Sequence, residues 1–219
     1  MLDINYIKNE YELPKTQLEK VEEEIIIDIL TGKMHSGQRI VEQDLCQRFG
    51  LSRTPIRQVL NKIATQGLIR LEQNRGAIVN GLTSRDIDDM LQMRFLLEPQ
   101  AVKWAIERIT KEEMSLLEET FAFMEFYTRT DDFNKMVRIN HGFDSIIYDA
   151  CGNKELERTL QRYAFYIGYA NSYILYPLNY LPTVLEEHRA IYNAFVVHDP
   201  EAGYEAAQVH AYKSMLRGK

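Results

Sequence analysis

With 219 residues, 45% of them hydrophobic and 11% aromatic, the chain can build one large core or two small ones, which excludes wholesale disorder. No stretch reaches about 18 uninterrupted apolar residues, which excludes a transmembrane helix. The net charge of −6 argues against a uniformly basic binder, yet residues 31–80 hold eight bases against three acids while residues 81–219 hold 15 bases and 21 acids, so a basic module rides on an acidic body.

Residues 1–15 lack the basic-then-apolar order of a signal peptide. Cys46 and Cys151 form no CxxC pair and suit two free thiols in a reducing cytoplasm, where the protein is expected. From Lys15 to Leu30, Leu18, Val21, Ile25 and Ile29 recur at helical spacing, and Gly32 ends the run. Val41 to Phe49 predicts a short second helix stopped by Gly50. Ser52 is a suitable N-cap, with Pro55 in the first turn, for a third helix reaching about Gln66. Leu68 to Leu71 and Ala77 to Val79 predict two strands joined through Gln73-Asn74-Arg75-Gly76.

Beyond Gly81 the strand signal stops. Thr83 and Ser84 can cap a long helix that Pro99 is expected to kink. Thr110 with Glu113 makes a capping box, and further helices are predicted over 131–151, 154–176, 181–197 and 200–216, divided at Gly152-Asn153, Pro177 and Asp199-Pro200. The expected fold is therefore mainly α. A winged helix-turn-helix occupies residues 1–82, and an all-α bundle of about six helices occupies residues 83–219.

The third helix begins Leu51-Ser52-Arg53-Thr54-Pro55-Ile56-Arg57. Arg53 and Arg57, at i and i+4, project from one face, while Val59, Leu60 and Ile63 can pack inward. Such a helix places its N-terminal residues against base edges and phosphates. Arginine can fork onto guanine, and Ser52 and Thr54 can donate to phosphates. Arg48, Arg75 and Gly76 of the wing complete the candidate DNA-contact set. A solvated basic helix would explain the charge, though not its agreement with the helix order and the wing.

The run Ile40-Val41-Glu42-Gln43-Asp44-Leu45-Cys46-Gln47-Arg48-Phe49-Gly50-Leu51-Ser52-Arg53-Thr54-Pro55-Ile56-Arg57 closely resembles the N-terminal domain of GntR-family repressors. Gln66-Gly67-Leu68-Ile69 and Asn74-Arg75-Gly76-Ala77-Ile78-Val79 extend the match. The bundle resembles the FadR subfamily's FCD type, in its shorter VanR-like branch, through Arg94-Phe95-Leu96-Leu97-Glu98, Gly152-Asn153, Glu187-His188-Arg189-Ala190-Ile191 and the stretch from Asp199 to His210. The resemblance implies a cytoplasmic homodimer that binds near-palindromic double-stranded operator DNA, with a small organic acid in the bundle as effector and no membrane partner.

The same resemblance implies a divalent metal in the bundle, held by an Asp, a His four residues later and two further His. Counted back from Asn153, those positions fall on Asn140 and Asp144, followed by His188 and His210. Two His and a carboxylate suit zinc, nickel or manganese. The departure from the family pattern should weaken affinity and favour harder ions. His141 points about 100° away from Asn140 and is a poor substitute. Without metal, the same residues would form a hydrogen-bonded polar lining. Arg94, among apolar neighbours, must find an anion, either the effector's carboxylate or Glu98 one turn on. Tyr163, Phe165, Tyr166, Tyr169, Tyr173 and Tyr176 read mainly as core or dimer surface. Two other classes remain: a metal-dependent hydrolase, for which no HExxH, GxSxG or Gly-rich phosphate loop is present, and an architectural DNA binder without effector.

Overall fold

The computed structural model describes residues 16–73, 75–170 and 180–217. Asn74, Tyr173, Tyr176 and Pro177 lie outside them. The chain divides into two compact units at Thr83/Ser84.

The first unit opens with α1 (Gln17–Leu30). Thr16 caps it: its hydroxyl accepts from Glu19 N–H while the Glu19 carboxylate accepts from Thr16 N–H, a capping box legible as Thr-x-x-Glu. Val21, Ile25, Ile26 and Ile29 form its buried face. A two-residue strand β1 (Arg39–Ile40) precedes α2 (Glu42–Phe49), whose first turn carries Glu42 and Asp44 against the positive helix end. Gly50 ends α2 at φ 65°, left-handed backbone that glycine adopts without a side-chain clash.

Helix α3 (Arg53–Thr65) buries Ile56, Val59, Leu60 and Ile63 and leaves Ser52, Arg53, Thr54 and Arg57 exposed. Ser52 occupies the N-cap position, but its side chain makes no capping bond, which departs from the expected role. Strands β2 (Ile69–Glu72) and β3 (Gly76–Val79) pair antiparallel, Ile69 opposite Val79 and Leu71 opposite Ala77. The unexpected β1 joins them in the order β1-β3-β2, Arg39 opposite Ile78. Two buried acids staple the helices. Glu22 of α1 takes Lys62 at 2.7 Å and Gln66 at 2.8 Å, and Asp28 takes Arg48 and Lys33.

The second unit is six helices among the described residues: α4 (Ser84–Arg108), α5 (Lys111–Arg129), α6 (Phe133–Ala150), α7 (Lys154–Ala170), α8 (Tyr180–Val196) and α9 (Pro200–Arg217). Pro99 sits inside α4, which runs its full 25 residues through it. The Thr110–Glu113 capping box starts α5. None of these helices is long and apolar enough to cross a membrane. Helix α4 packs most extensively on α9 and also on α6 and α7, so it forms one wall of every interior space in the bundle.

The α4–α9 contact is closest at Gly203. A Cβ there would lie 2.2 Å from Ile106 Cδ1 and 3.2 Å from Val102 Cγ1, both on α4 and both buried. Gly203→Val should therefore destabilise the chain by about 2 kcal/mol through overpacking. Gly203→Ala should cost less, because alanine regains about 1 kcal/mol of helix propensity. Urea denaturation checks this: the Val midpoint should fall below the Ala midpoint with an unchanged slope.

Candidate functional site

In the first unit the exposed face of α3 carries the expected DNA-contact side chains. Arg57 Nε donates to both Glu42 oxygens, at 2.9 and 3.0 Å, and Arg53 Nη2 donates to Gln43 Oε1 at 3.1 Å. At the wing, Gly76 adopts φ 80°, and Arg75 stands 77% exposed, 3.6 Å from Glu72. Arg48 has a structural role as well. Its guanidinium is held by Asp28 and Glu24 of α1, lies over the Phe49 ring and stays 40% exposed, so it also joins α2 to α1.

The second unit encloses a cavity of about 120 Å³, room for several waters or one small molecule. Arg94 of α4, Asn140, His141 and Asp144 of α6, and His210 and Arg217 of α9 supply its polar wall, and Leu91, Met136, Ala164, Ile167 and Val184 its apolar wall. His188 is fully buried, with its ring centroid 4.5 Å from that of His210.

Two of the polar clusters here are closed. Arg94 donates through Nε and Nη2 to Glu98, at 3.0 and 2.8 Å, and Tyr148 donates its O–H to Glu98 at 2.8 Å. Burial raises the Tyr148 pKa, with the charges of Glu98 and Asp144 adding to it, so the hydroxyl keeps its proton. Of the two roles open to Arg94, the ion pair with Glu98 is formed. In the second cluster Arg217 grips Glu187 at 2.7 and 2.8 Å, His210 Nδ1 lies 3.0 Å from it, and Lys213 stands 3.7 Å away. Burial opposes ionisation of Glu187, but His210 and Arg217 overcome it and hold its pKa down to about 2.

The third cluster is open. His188 Nδ1 meets the Val184 carbonyl at 2.8 Å. A carbonyl only accepts, so Nδ1 bears a proton and Nε2 is the ring nitrogen left for another partner. That Nε2 faces Asp144 Oδ1 at 3.6 Å and has no hydrogen-bond partner among the described residues, nor does the buried Asn140 Oδ1. Burial works against the Asp144 charge, yet His188, Arg94 and His210 hold its pKa down to about 2. A proton on Nε2 or a cation between the two groups would complete this contact.

The donor types, two imidazoles and a carboxylate, are those a divalent cation takes. Both imidazoles have Nδ1 tied to an oxygen, the arrangement that orients Nε2 toward a metal. Their placement does not gather them, since among the described residues no three His, Cys, Asp or Glu groups are placed to hold a metal ion. Sequence reasoning missed two members. His141, set aside on its helix angle, lies on the cavity wall against Gly168, where a Cβ would come within 3.3 Å of its Nε2. Burial lowers its pKa; Asp144 resists this and Arg94 adds to it. Glu187 precedes His188 in a quoted motif, but its partners lie 23 and 30 residues away and left no local signal.

Residues 17–79 match the family model of bacterial regulatory proteins, gntR family, and residues 89–212 match the FCD domain. The chain is 29% identical over 189 residues to the HTH-type transcriptional regulator YdhC of Bacillus subtilis, covering 83% of this chain and 82% of that one. It is 26% identical over 217 residues to the galactonate operon transcriptional repressor of Escherichia coli, covering 87% and 92%. Among solved structures, E. coli McbR/YncC aligns with a TM-score of 0.73 at 18% identity, over 92% of this chain and 96% of that one, a likeness of fold.

Glu187 gives a direct test of the closed cluster. Glu187→Ala leaves Arg217 and His210 without their shared acceptor and should cost about 3 kcal/mol, read by thermal or chemical denaturation. The pH sign follows from the depressed values of Glu187 and Asp144. Their contribution is fully present above the ordinary carboxylate range and is lost as pH falls from there toward about 2. Acid titration should show wild-type stability dropping in that window, less steeply in Glu187→Ala.

Proposed function

The chain belongs to the gntR family of bacterial regulatory proteins and carries an FCD domain, and from that membership we propose how this transcription regulator reads DNA and senses an effector. Its family and relatives are transcription regulators and not enzymes, so the hydrolase alternative has no support. Helix α3 enters the major groove, Arg53 and Arg57 meet base edges, Ser52 and Thr54 meet phosphates, and Arg75 with Gly76 brings the wing against the backbone or a groove. The shared exposed face of these side chains on a locally basic module supports this reading.

One α3 offers too few contacts for operator affinity, so two chains bind a near-palindromic site as a homodimer. The bundle offers the pairing surface: Leu96 on α4 and Val209, Tyr212 and Leu216 on the adjacent α9 are exposed large apolar side chains. Repression of an operon in the cytoplasm is the expected output, as the names of the galactonate and gluconate operon repressors suggest. Arg53→Ala and Arg57→Ala should each weaken operator binding by about 1–3 kcal/mol and random-duplex binding by less. Light scattering of the wild-type complex should give two chains per operator; one chain per operator would remove the dimer.

The effector site is the bundle cavity, and the observation that carries it is Asp144 facing His188 Nε2 at 3.6 Å. Asp144, His188 and His210, with Asn140 as a weaker fourth donor, would hold one divalent cation such as zinc, nickel or manganese. A bound cation would supply positive charge for an organic acid's carboxylate. Without it the cavity disfavours an acid. Arg94 and Arg217 are matched by Glu98 and Glu187, which leaves the Asp144 charge in excess. His141, neutral at the wall, can hydrogen-bond the acid's far end.

Cation and acid should therefore bind cooperatively, each raising the other's affinity by the same factor. Calorimetry with galactonate and gluconate as probes should show binding to metal-loaded protein and none after chelation. Elemental analysis should find close to one divalent ion per chain after incubation with zinc, nickel or manganese, and loss of that ion in His188→Ala. Retention of under about a tenth of an equivalent would leave these residues as a polar lining.

A further inference from the structure

Each arginine on the exposed face of α3 is met by a side chain from the first turn of α2, and the two contacts differ in kind. Arg53 receives a neutral amide through one terminal nitrogen, whereas Arg57 receives a carboxylate through Nε, from both oxygens at once. Neither supports the core, since the Arg57 side chain is 62% exposed and the Glu42 side chain 27%. An ion pair this exposed adds little to stability. Its effect lies in geometry and charge.

A guanidinium presents two forked edges, one using Nε with a terminal nitrogen and one using the two terminal nitrogens. Glu42 takes Nε, and the two terminal nitrogens, with no hydrogen bond to another described residue, can fork onto guanine N7 and O6. We propose that Glu42 is a specificity-determining residue that aims Arg57 at base edges and keeps it off the phosphates. Its role rests on the reading of Arg57 as a base reader.

Two physical effects act together. Holding the guanidinium plane before DNA arrives removes ordering that would otherwise accompany a base contact, which favours the matched site. The Glu42 charge beside the duplex is repelled by every phosphate, matched or not, and lowers binding to all sequences. Specificity is a difference of affinities, so a group that penalises random DNA more than the operator raises discrimination while lowering gross affinity. Released from Glu42, Arg57 would settle on the nearest phosphate, a contact without sequence information. Glu42 also stands at the positive end of α2, where a carboxylate favours the helix; that role would affect folding alone and leave sequence discrimination unchanged.

The test uses the full-length chain, a duplex selected in vitro by the wild-type protein, and a scrambled duplex of the same composition, each titrated at several salt concentrations. For Glu42→Gln the ratio of selected to scrambled affinity should fall about tenfold, within the discrimination one forked base contact provides. Most of the fall should come from tighter scrambled binding, with a salt slope steeper by about one phosphate contact. Glu42→Asp should restore part of the ratio. In an Arg57→Ala background, Glu42→Gln should change the ratio no further. A Glu42→Gln ratio within about twofold of wild type, or equal weakening on both duplexes, overturns the proposal. If Arg57→Ala collapses the ratio while Glu42→Gln leaves it intact, Arg57 remains the base reader and only the aiming role fails. If Arg57→Ala itself leaves the ratio unchanged, both fail together.

Discussion

A carboxylate kept ionised inside an apolar bundle must be answered by positive charge, and the polar interior of the second unit is arranged around that demand at Asp144. Arg94 stands nearby, but at 3.9 Å and already engaged by Glu98 and Tyr148. Glu187, the other buried acid of the cavity region, is met in full by Arg217 and His210. Two closed clusters therefore flank an open one. Buried polar groups are normally satisfied, whereas His188 Nε2 and Asn140 Oδ1 in the same cluster have no hydrogen-bond partner among the described residues.

The closed clusters matter to the open one because they decide what it can accept. Glu187 holds Nδ1 of His210 and the Val184 carbonyl holds Nδ1 of His188, so neither ring is free to turn its Nε2 away. Arg94 is held rigidly and its charge is largely matched, which removes the simplest way of attracting an acid. What remains is a cavity in which Asp144 faces His188 Nε2 at 3.6 Å. On the surface of the first unit the same pairing logic has a different consequence. The ion pair of Arg57 with Glu42 is open to water, where it adds little stability and instead constrains direction and charge.

Much of this was legible in the sequence because the signals are local. Apolar positions at helical spacing, the glycines at 32, 50 and 67, and the Thr110–Glu113 box each act within a turn or two of chain, so the helices and the hairpin could be placed. The pairing of Arg94 with Glu98 was visible for the same reason, being one turn apart. Strand β1 was not, because two residues cannot show a period and its pairing with β3 spans 39 residues from Arg39 to Ile78. The ion pair of Arg48 was hidden for a related reason, because Asp28 lies twenty residues back. His141 was lost to an idealised helix angle, which took no account of α7 thinning to Gly168 opposite its ring.

The departure from the family's ligand pattern can now be weighed in charge and in donor strength. The resemblance implies one carboxylate and three imidazoles, whereas Asn140, Asp144, His188 and His210 provide one carboxylate, one amide and two imidazoles. The carboxylate has moved one helical turn along α6 without changing the number of negative charges, so a divalent cation held there would still carry positive charge toward an acid. One imidazole has given way to an amide oxygen, a weaker and harder donor, so the cation would be held less tightly. Weak intrinsic binding makes occupancy depend on the second ligand. When two ligands favour each other, the one below saturation alone is drawn in by its partner, and neither fills the site without the other. A site of this composition would report cation and acid jointly, and the loosened donor set is what would give it that property.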